Sequence, residues 1–152
     1  MLEIAPIISL QSSSATTSNF KNSLIDRGAN GGMAGSDVRI ITCTDRRVNI
    51  SGIDNHQVTD LKIVSCGGVI NTHCGLVIGI FHQYAYMPTN KTIHSSTQLE
   101  HFKNTVDDRS LKAGGKQHIR TPEGFLIPLN IINGLPYMRI QPYTDEEWVS
   151  LP

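Results

Sequence analysis

The chain has 152 residues, room for one domain with some tail to spare. Its 39% hydrophobic content permits a core, and its 17% charged residues fall below the usual quarter. The 13 basic and 13 acidic residues cancel, with no lysine/arginine block among them. The electrostatic footprint of direct nucleic-acid binding is therefore missing.

No apolar run approaches the ~20 residues that span a membrane. Met1–Leu10 lacks the basic start and long apolar stretch of a signal peptide. A soluble, cytoplasmic protein without a membrane partner is expected. The sequons Asn49-Ile50-Ser51 and Asn90-Lys91-Thr92 then read as chance matches.

In chain order, Gln11–Asn19 is rich in serine and threonine and has no apolar periodicity, so residues 1–19 are predicted to be disordered or a linker. Folded character starts at Phe20 and predicts one domain over 20–140. Val38–Thr42 and Val48–Ile53 read as strands. Leu61–Val64 and Val69–Ile70 flank Gly67-Gly68, which reads as a turn or bulge. Leu76–Tyr86 is the strongest strand candidate, with Phe81, Tyr84 and Tyr86 as packing aromatics rather than a stacking platform for bases.

Thr92–Phe102 predicts a short helix. Ser95 and Gln98 fit a capping box, and Leu99 and Phe102 share a face. Strands follow at Gln117–Arg120, Phe125–Ile132 and Tyr137–Ile140, separated by the hairpin signals Pro122-Glu123-Gly124 and Asn133-Gly134. Thr144 and Glu147 can cap one last turn carrying Trp148, and 141–152 reads as the truncated tail of something longer. The fold class is all-β with one short helix.

Few residues carry chemistry. Cys43, Cys66 and Cys74 form no Cys-x-x-Cys pair. Together with His56, His73, His82, His101 and His118 they offer no zinc spacing, so no metal is expected. His94-Ser95 does not set a serine against its base and Gly-x-Ser-x-Gly is absent, which disfavours a serine hydrolase; Ser95 reads as a helix cap.

Leu24-Ile25-Asp26-Arg27-Gly28-Ala29 is the stretch that stands out. Two apolar residues lead into an aspartate, and small residues follow. A strand delivers a carboxylate onto a tight loop in this way, and Gly28 lets backbone amides approach it. Asp37, Asp45, Asp54, Asp60, Asp107, Asp108 and Asp145 lack that context and read as solvated or turn aspartates. Aspartate-based peptide hydrolysis needs two carboxylates sharing one proton around a water. Like charges that close cannot both ionise easily, and the pair titrates as a unit. One Asp-x-Gly in 152 residues therefore implies that a second copy supplies the second carboxylate.

From Ser23 to the C-terminus the chain resembles the retropepsin-like aspartic protease region of copia-type LTR retrotransposon polyproteins, in the divergent form found in algae and other protists. Leu24-Ile25-Asp26-x-Gly28-Ala29 matches the active-site strand and loop. Gly67-Gly68-Val69-Ile70 resembles the glycine-containing strand associated with the substrate-covering flap. Tyr86-Met87-Pro88, Ile93-x-Ser95 and Gln98-Leu99 match a further segment. Ile119–Gly124 and Gly134-Leu135-Pro136-Tyr137 resemble the strands leading toward the segment before integrase.

The resemblance implies a small closed β-barrel-like fold and a homodimer that cuts its own polyprotein, within the cell or its virus-like particles. It implies no cofactor beyond the active-site water. Asp26 takes the catalytic position, Arg27, Gly28 and Ala29 the active-site loop, and Gly67 and Gly68 the flap region.

Arg27 departs from the pattern. Family members usually carry threonine or serine there, whose hydroxyl bonds the opposite loop across the dimer. An arginine turned toward Asp26 favours the ionised carboxylate and opposes the shared proton. Turned outward, it leaves only the clamp missing. The alternative function is a catalytically inactive retropepsin-like module, or a decayed transposon fragment, with a dimerisation or assembly role.

Overall fold

The structure is a computed structural model that describes residues 2–6, 20–51, 57–88 and 91–151. The expected linker at 7–19 lies outside these residues, as do Asp54, His56 and Asn90. The chain is mostly strand. In order it forms β1 (Leu2–Pro6), β2 (Lys21–Asp26), β3 (Met33–Ala34), β4 (Arg39–Ser51), β5 (Gln57–Thr72), β6 (Gly75–Tyr86), β7 (Ile93–Ser95) and α1 (Ser96–His101). Then come β8 (Thr105–Asp107), a 3-10 turn at Leu111–Ala113, β9 (His118–Arg120), β10 (Leu126–Pro128), β11 (Asn130–Ile132), β12 (Leu135–Gln141) and α2 (Asp145–Val149).

The strand pairings run in a closed circuit. β6 pairs with β3, β3 with β7, β7 with β2, β2 with β12, β12 with β5, and β5 with β6 again. β1, β4 and β11 attach to this circuit, and β8–β9–β10 form a separate three-stranded sheet. Inside it, Val64, Ile70, Phe81, Tyr84, Met138 and Ile140 are essentially inaccessible to solvent. These six, from β5, β6 and β12, belong to one apolar cluster that also takes in Leu2, Ile25, Leu99, Ile119 and Ile127.

Several expectations change. Leu2–Pro6 is a strand on β6, not linker, and Leu2 is buried in the core because its register places it beside Phe81. The cross-strand chain Ser65 Oγ···His82 Nδ1 (2.7 Å) and His82 Nε2···Glu3 Oε1 (2.6 Å) ties β1 to the sheet. The described part of the tail, 141–151, is docked as well: Tyr143 is buried, stacks on Trp148 at 5.1 Å, and lies under the Arg39 guanidinium. Thr144 and Glu147 complete the capping box of α2.

Gly67-Gly68 does not turn or bulge. β5 runs through both, with Gly67 paired to Arg39 on β4 and Ile80 on β6 and Gly68 paired to Gly79 on β6, and the register shift against β6 falls between Val64 and Cys66 instead. Both glycines serve packing, since a Cβ at Gly67 would meet Tyr143 Cε1 at 2.9 Å and one at Gly68 would meet Ile140 Cγ1 at 2.5 Å. Gly68→Ala is expected to lower stability by about 1–3 kcal/mol through overpacking, read as a lower urea midpoint with an unchanged slope.

Candidate active-site loop

Asp26 is the last residue of β2, half-buried where the strand ends and the turn begins. β2 runs parallel to β7, with Ile25 beside His94 and Asp26 beside Ser95. Residues 23 and 25 face the interior, so Asp26 falls on the opposite face by strand alternation. The Gly28 N–H donates to Asp26 Oδ1 at 2.8 Å, and the Ala29 N–H to the Asp26 carbonyl at 3.3 Å. A Cβ at Gly28 would sit 3.3 Å from that same Oδ1, closer than most real contacts. The glycine therefore gives the carboxylate room to lie against the backbone.

The first turn of α1 anchors the loop from the other side. Ser95 caps the helix by accepting from Gln98 N, and its hydroxyl donates to the Ala29 carbonyl at 2.7 Å. Thr97 Oγ1 donates to the same carbonyl at 3.2 Å. The Gln98 side chain does not close the expected capping box. Its Oε1 accepts from Gly32 N–H at 2.8 Å and its amide donates to the Gln83 carbonyl. A side chain expected to finish the helix thus fixes the far end of the aspartate loop.

Arg27 takes the outward of its two orientations. Its guanidinium donates to Glu100 Oε1 at 2.8 Å, to Asp108 Oδ2 at 3.2 Å and to the Val106 carbonyl. The Glu100 hydrogen bond, working against partial desolvation and helped by Asp108, raises the Arg27 pKa above its ordinary value. The cation is thereby engaged across the loop with α1 and the segment after β8.

Behind the loop lies a buried polar chain. Ser23 Oγ donates to the Met138 carbonyl at 2.7 Å, so it accepts from His94 Nε2–H at 2.9 Å. His94 Nδ1 then accepts from the Tyr84 hydroxyl at 2.7 Å. Every proton is assigned with His94 neutral, and burial lowers its pKa from 6.5 to about 3. Burial likewise pushes Tyr84 well above its ordinary value. Ser23 and His94 are wholly buried, so this serine–histidine contact is structural and offers no nucleophile to solvent.

Asp37, expected to be solvated, is instead buried and accepts from the Thr92 N–H and hydroxyl, holding the approach to β7. Burial, with the Asp37 charge adding, pushes the Cys66 thiol up to about 12, while Cys43 and Cys74 are exposed. Among the described residues no three metal-ligating side chains converge, and no helix is long and apolar enough to cross a membrane. Three of the surface depressions are lined by Phe20 and by residues of β5, β8–β12 and their turns, and none of these three touches the 26–32 loop.

Gly67 and Gly68 lie at the base of the β4–β5 hairpin rather than toward its end. Sequence reasoning missed Thr97, Glu100 and Asp108 as anchors of the Asp26 loop. It also missed the Tyr84–His94–Ser23 chain. No local spacing signals contacts between residues so far apart along the chain. Comparison with protein families, curated sequences and solved structures found no match.

Proposed function

We propose that the chain is an aspartic endopeptidase of the copia-type retrotransposon kind, cutting its own polyprotein as a homodimer with one Asp26 per chain. The observation that carries this reading is the Asp26 loop. A carboxylate ends a strand, accepts from the amide two residues on, and sits on a loop tied by Ser95, Thr97 and Gln98. The closed circuit of pairings suits a barrel-like body, and the β4–β5 hairpin, exposed along Thr42–Arg47, suits a substrate cover. Gly67 and Gly68 would then support that cover from its base.

In the dimer one Asp26 is ionised and the other protonated. The ionised carboxylate takes a proton from water as the water oxygen bonds the scissile carbonyl carbon. The protonated one gives its proton to the carbonyl oxygen. Collapse of that tetrahedral species breaks the C–N bond: the amine leaves with the proton first taken from water, and a hydroxyl of the diol returns its proton to the other carboxylate as the acid forms. The loop's role is to hold each carboxylate at a fixed place before substrate arrives.

The second reading, a non-catalytic dimerising module, is favoured by Arg27, which fills the clamp position with an ion pair inside its own chain. Arg27→Thr separates the two. Both ion pairs are substantially exposed, so their loss is expected to cost less than about 1 kcal/mol. The regained hydroxyl is expected to raise peptide cleavage several-fold, on the scale of one hydrogen bond. A variant that folds, dimerises and cleaves nothing would favour the non-catalytic module.

A further inference from the structure

A carboxylate, an imidazole and a hydroxyl line up on the outer face of the sheet, one from each of three neighbouring strands. Glu3 on β1 pairs with Ile80 on β6, and His82 lies two residues further along β6, so Glu3 and His82 share a face as diagonal neighbours. Ser65 on β5 falls at the register shift, where Val64 pairs with Tyr84 and Cys66 with Phe81. One residue of β5 therefore stands opposite two of β6, His82 and Gln83. Bulges of this kind re-aim side chains, and here Gln83 takes a positive φ of 63° directly after His82. The flanking residues Leu2, Val64, Cys66, Phe81 and Tyr84 are buried in the core, so alternation turns Glu3, Ser65 and His82 outward.

The protons on this chain run in one direction. The ionised Glu3 carboxylate only accepts, so it takes the His82 Nε2–H at 2.6 Å. The Nδ1 lone pair then faces the Ser65 hydroxyl, which donates to it at 2.7 Å. In the Ser23–His94 pair the histidine donates to the serine instead, and both are sealed from solvent. At Ser65 the base aims its lone pair at the hydroxyl proton. Solvent reaches the group, with 31% of the His82 side chain and 54% of the Glu3 side chain exposed.

We propose that Ser65, His82 and Glu3 form an acyl-transfer site, with Ser65 the nucleophile, His82 the general base and Glu3 the residue that positions His82. A hydroxyl bonded to a base that a third group holds in place is the arrangement that activates serine, whatever the order of the residues in the chain. The local spacing that disfavours a serine hydrolase at His94-Ser95 has no bearing on residues 3, 65 and 82. Ser65 Oγ bonds the carbonyl carbon of an ester as its proton passes to His82 Nδ1. The tetrahedral species collapses, the C–O bond to the leaving group breaks, and the alcohol departs with that proton. Water then repeats the sequence on the acyl-serine, releasing the acid and restoring the Ser65 hydroxyl. In each half Glu3 stabilises the imidazolium. None of the three depressions described above is lined by Ser65, His82 or Glu3. With little binding energy to draw on, the substrate class is a small activated ester whose leaving group departs readily.

The test treats the full chain with a fluorophosphonate, which an activated serine attacks with loss of fluoride, and maps the label by mass spectrometry. Hydrolysis of p-nitrophenyl acetate is followed in parallel. The label is expected on Ser65, and Ser65→Ala is expected to lose it. His82→Gln is expected to slow both reactions about 100-fold or more. Glu3→Gln is expected to slow both about fivefold, the scale of an exposed ion pair. Glu3→Asp, shorter but still charged, is expected to stay nearer the parent, whereas a purely structural tie would favour the isosteric glutamine. Circular dichroism checks that each variant keeps its strands. A chain that takes no label overturns the proposal, as does a label retained by Ser65→Ala or His82→Gln labelled as fast as the parent. Equal labelling of the chain unfolded in urea overturns it too, because serine would then react without the strands that build the site. None of these readouts depends on Asp26, so the aspartic-endopeptidase reading stands or falls separately.

Discussion

Asp26→Asn is expected to reduce cleavage of a polyprotein-derived peptide at mildly acidic pH by a thousandfold or more. General acid–base groups typically contribute about 10²–10⁴-fold, and one substitution changes both members of a symmetric pair. Asparagine keeps an oxygen for the Gly28 N–H, so the loop, fold and self-association are expected to survive. What disappears is the ability to take and return a proton. Progress curves on one peptide, with parent and variant at equal dimer concentration, read the effect. Equal rates would remove Asp26 from the chemistry and the protease reading with it. A fall in rate accompanied by loss of the dimer would show that asparagine had disturbed the interface rather than the reaction.

Acid is expected to destabilise the fold through His94. Its folded pKa, about 3, lies below the unfolded value near 6.5. In that window the unfolded chain binds a proton that the folded chain refuses. Stability is full above about pH 6.5 and falls by about 1.4 kcal/mol per pH unit as pH drops toward 3. By pH 4 the loss from this one group approaches about 3 kcal/mol, a large share of a typical domain's stability.

The physical reason is that both ring nitrogens are already committed. Nε2 donates to Ser23 and Nδ1 accepts from Tyr84, so a second ring proton would displace the Tyr84 bond inside a sealed core. His94→Gln, neutral at every pH, is expected to cost about 1–3 kcal/mol at pH 7 through imperfect hydrogen bonds and to flatten the acid dependence. Urea unfolding at pH 7, 5 and 4 on both proteins isolates the difference. Parallel pH profiles would show that His94 does not control the acid limb.

Local physics made the strands legible, and distance hid their partners. The apolar, aromatic run of Leu76–Tyr86 and the turn chemistry of Asn133-Gly134 each depend on neighbours within a few residues. The structure keeps both, with Asn133 and Gly134 at positive φ between β11 and β12. The Ser95 cap was readable for the same reason. Gly67-Gly68 misled because two glycines that punctuate a loop look the same as two that let Tyr143 and Ile140 close against a sheet. Leu2–Pro6 was too short and isolated to reveal that β6, more than seventy residues on, would pair with it. Asp26 was conspicuous as a strand-ending aspartate. That Arg27 would turn to Glu100 and Asp108 depended on where α1 and β8 come to rest, which no spacing around residue 27 encodes.

The placement of β12 has a consequence for the order in which the protein can assemble. The strand carrying Asp26 has β7 on one side, but its other neighbour arrives some 115 residues later, when Met138 reaches Ser23. Until that segment leaves the ribosome, β2 presents a bare edge and the Ser23 hydroxyl lacks its acceptor. Closure waits for a segment more than a hundred residues away, and contacts so distant along the sequence make it slow. Maturation of the Asp26 loop is thereby timed by synthesis itself, and a chain interrupted before Leu135 would hold every residue of the loop without the strand that braces it.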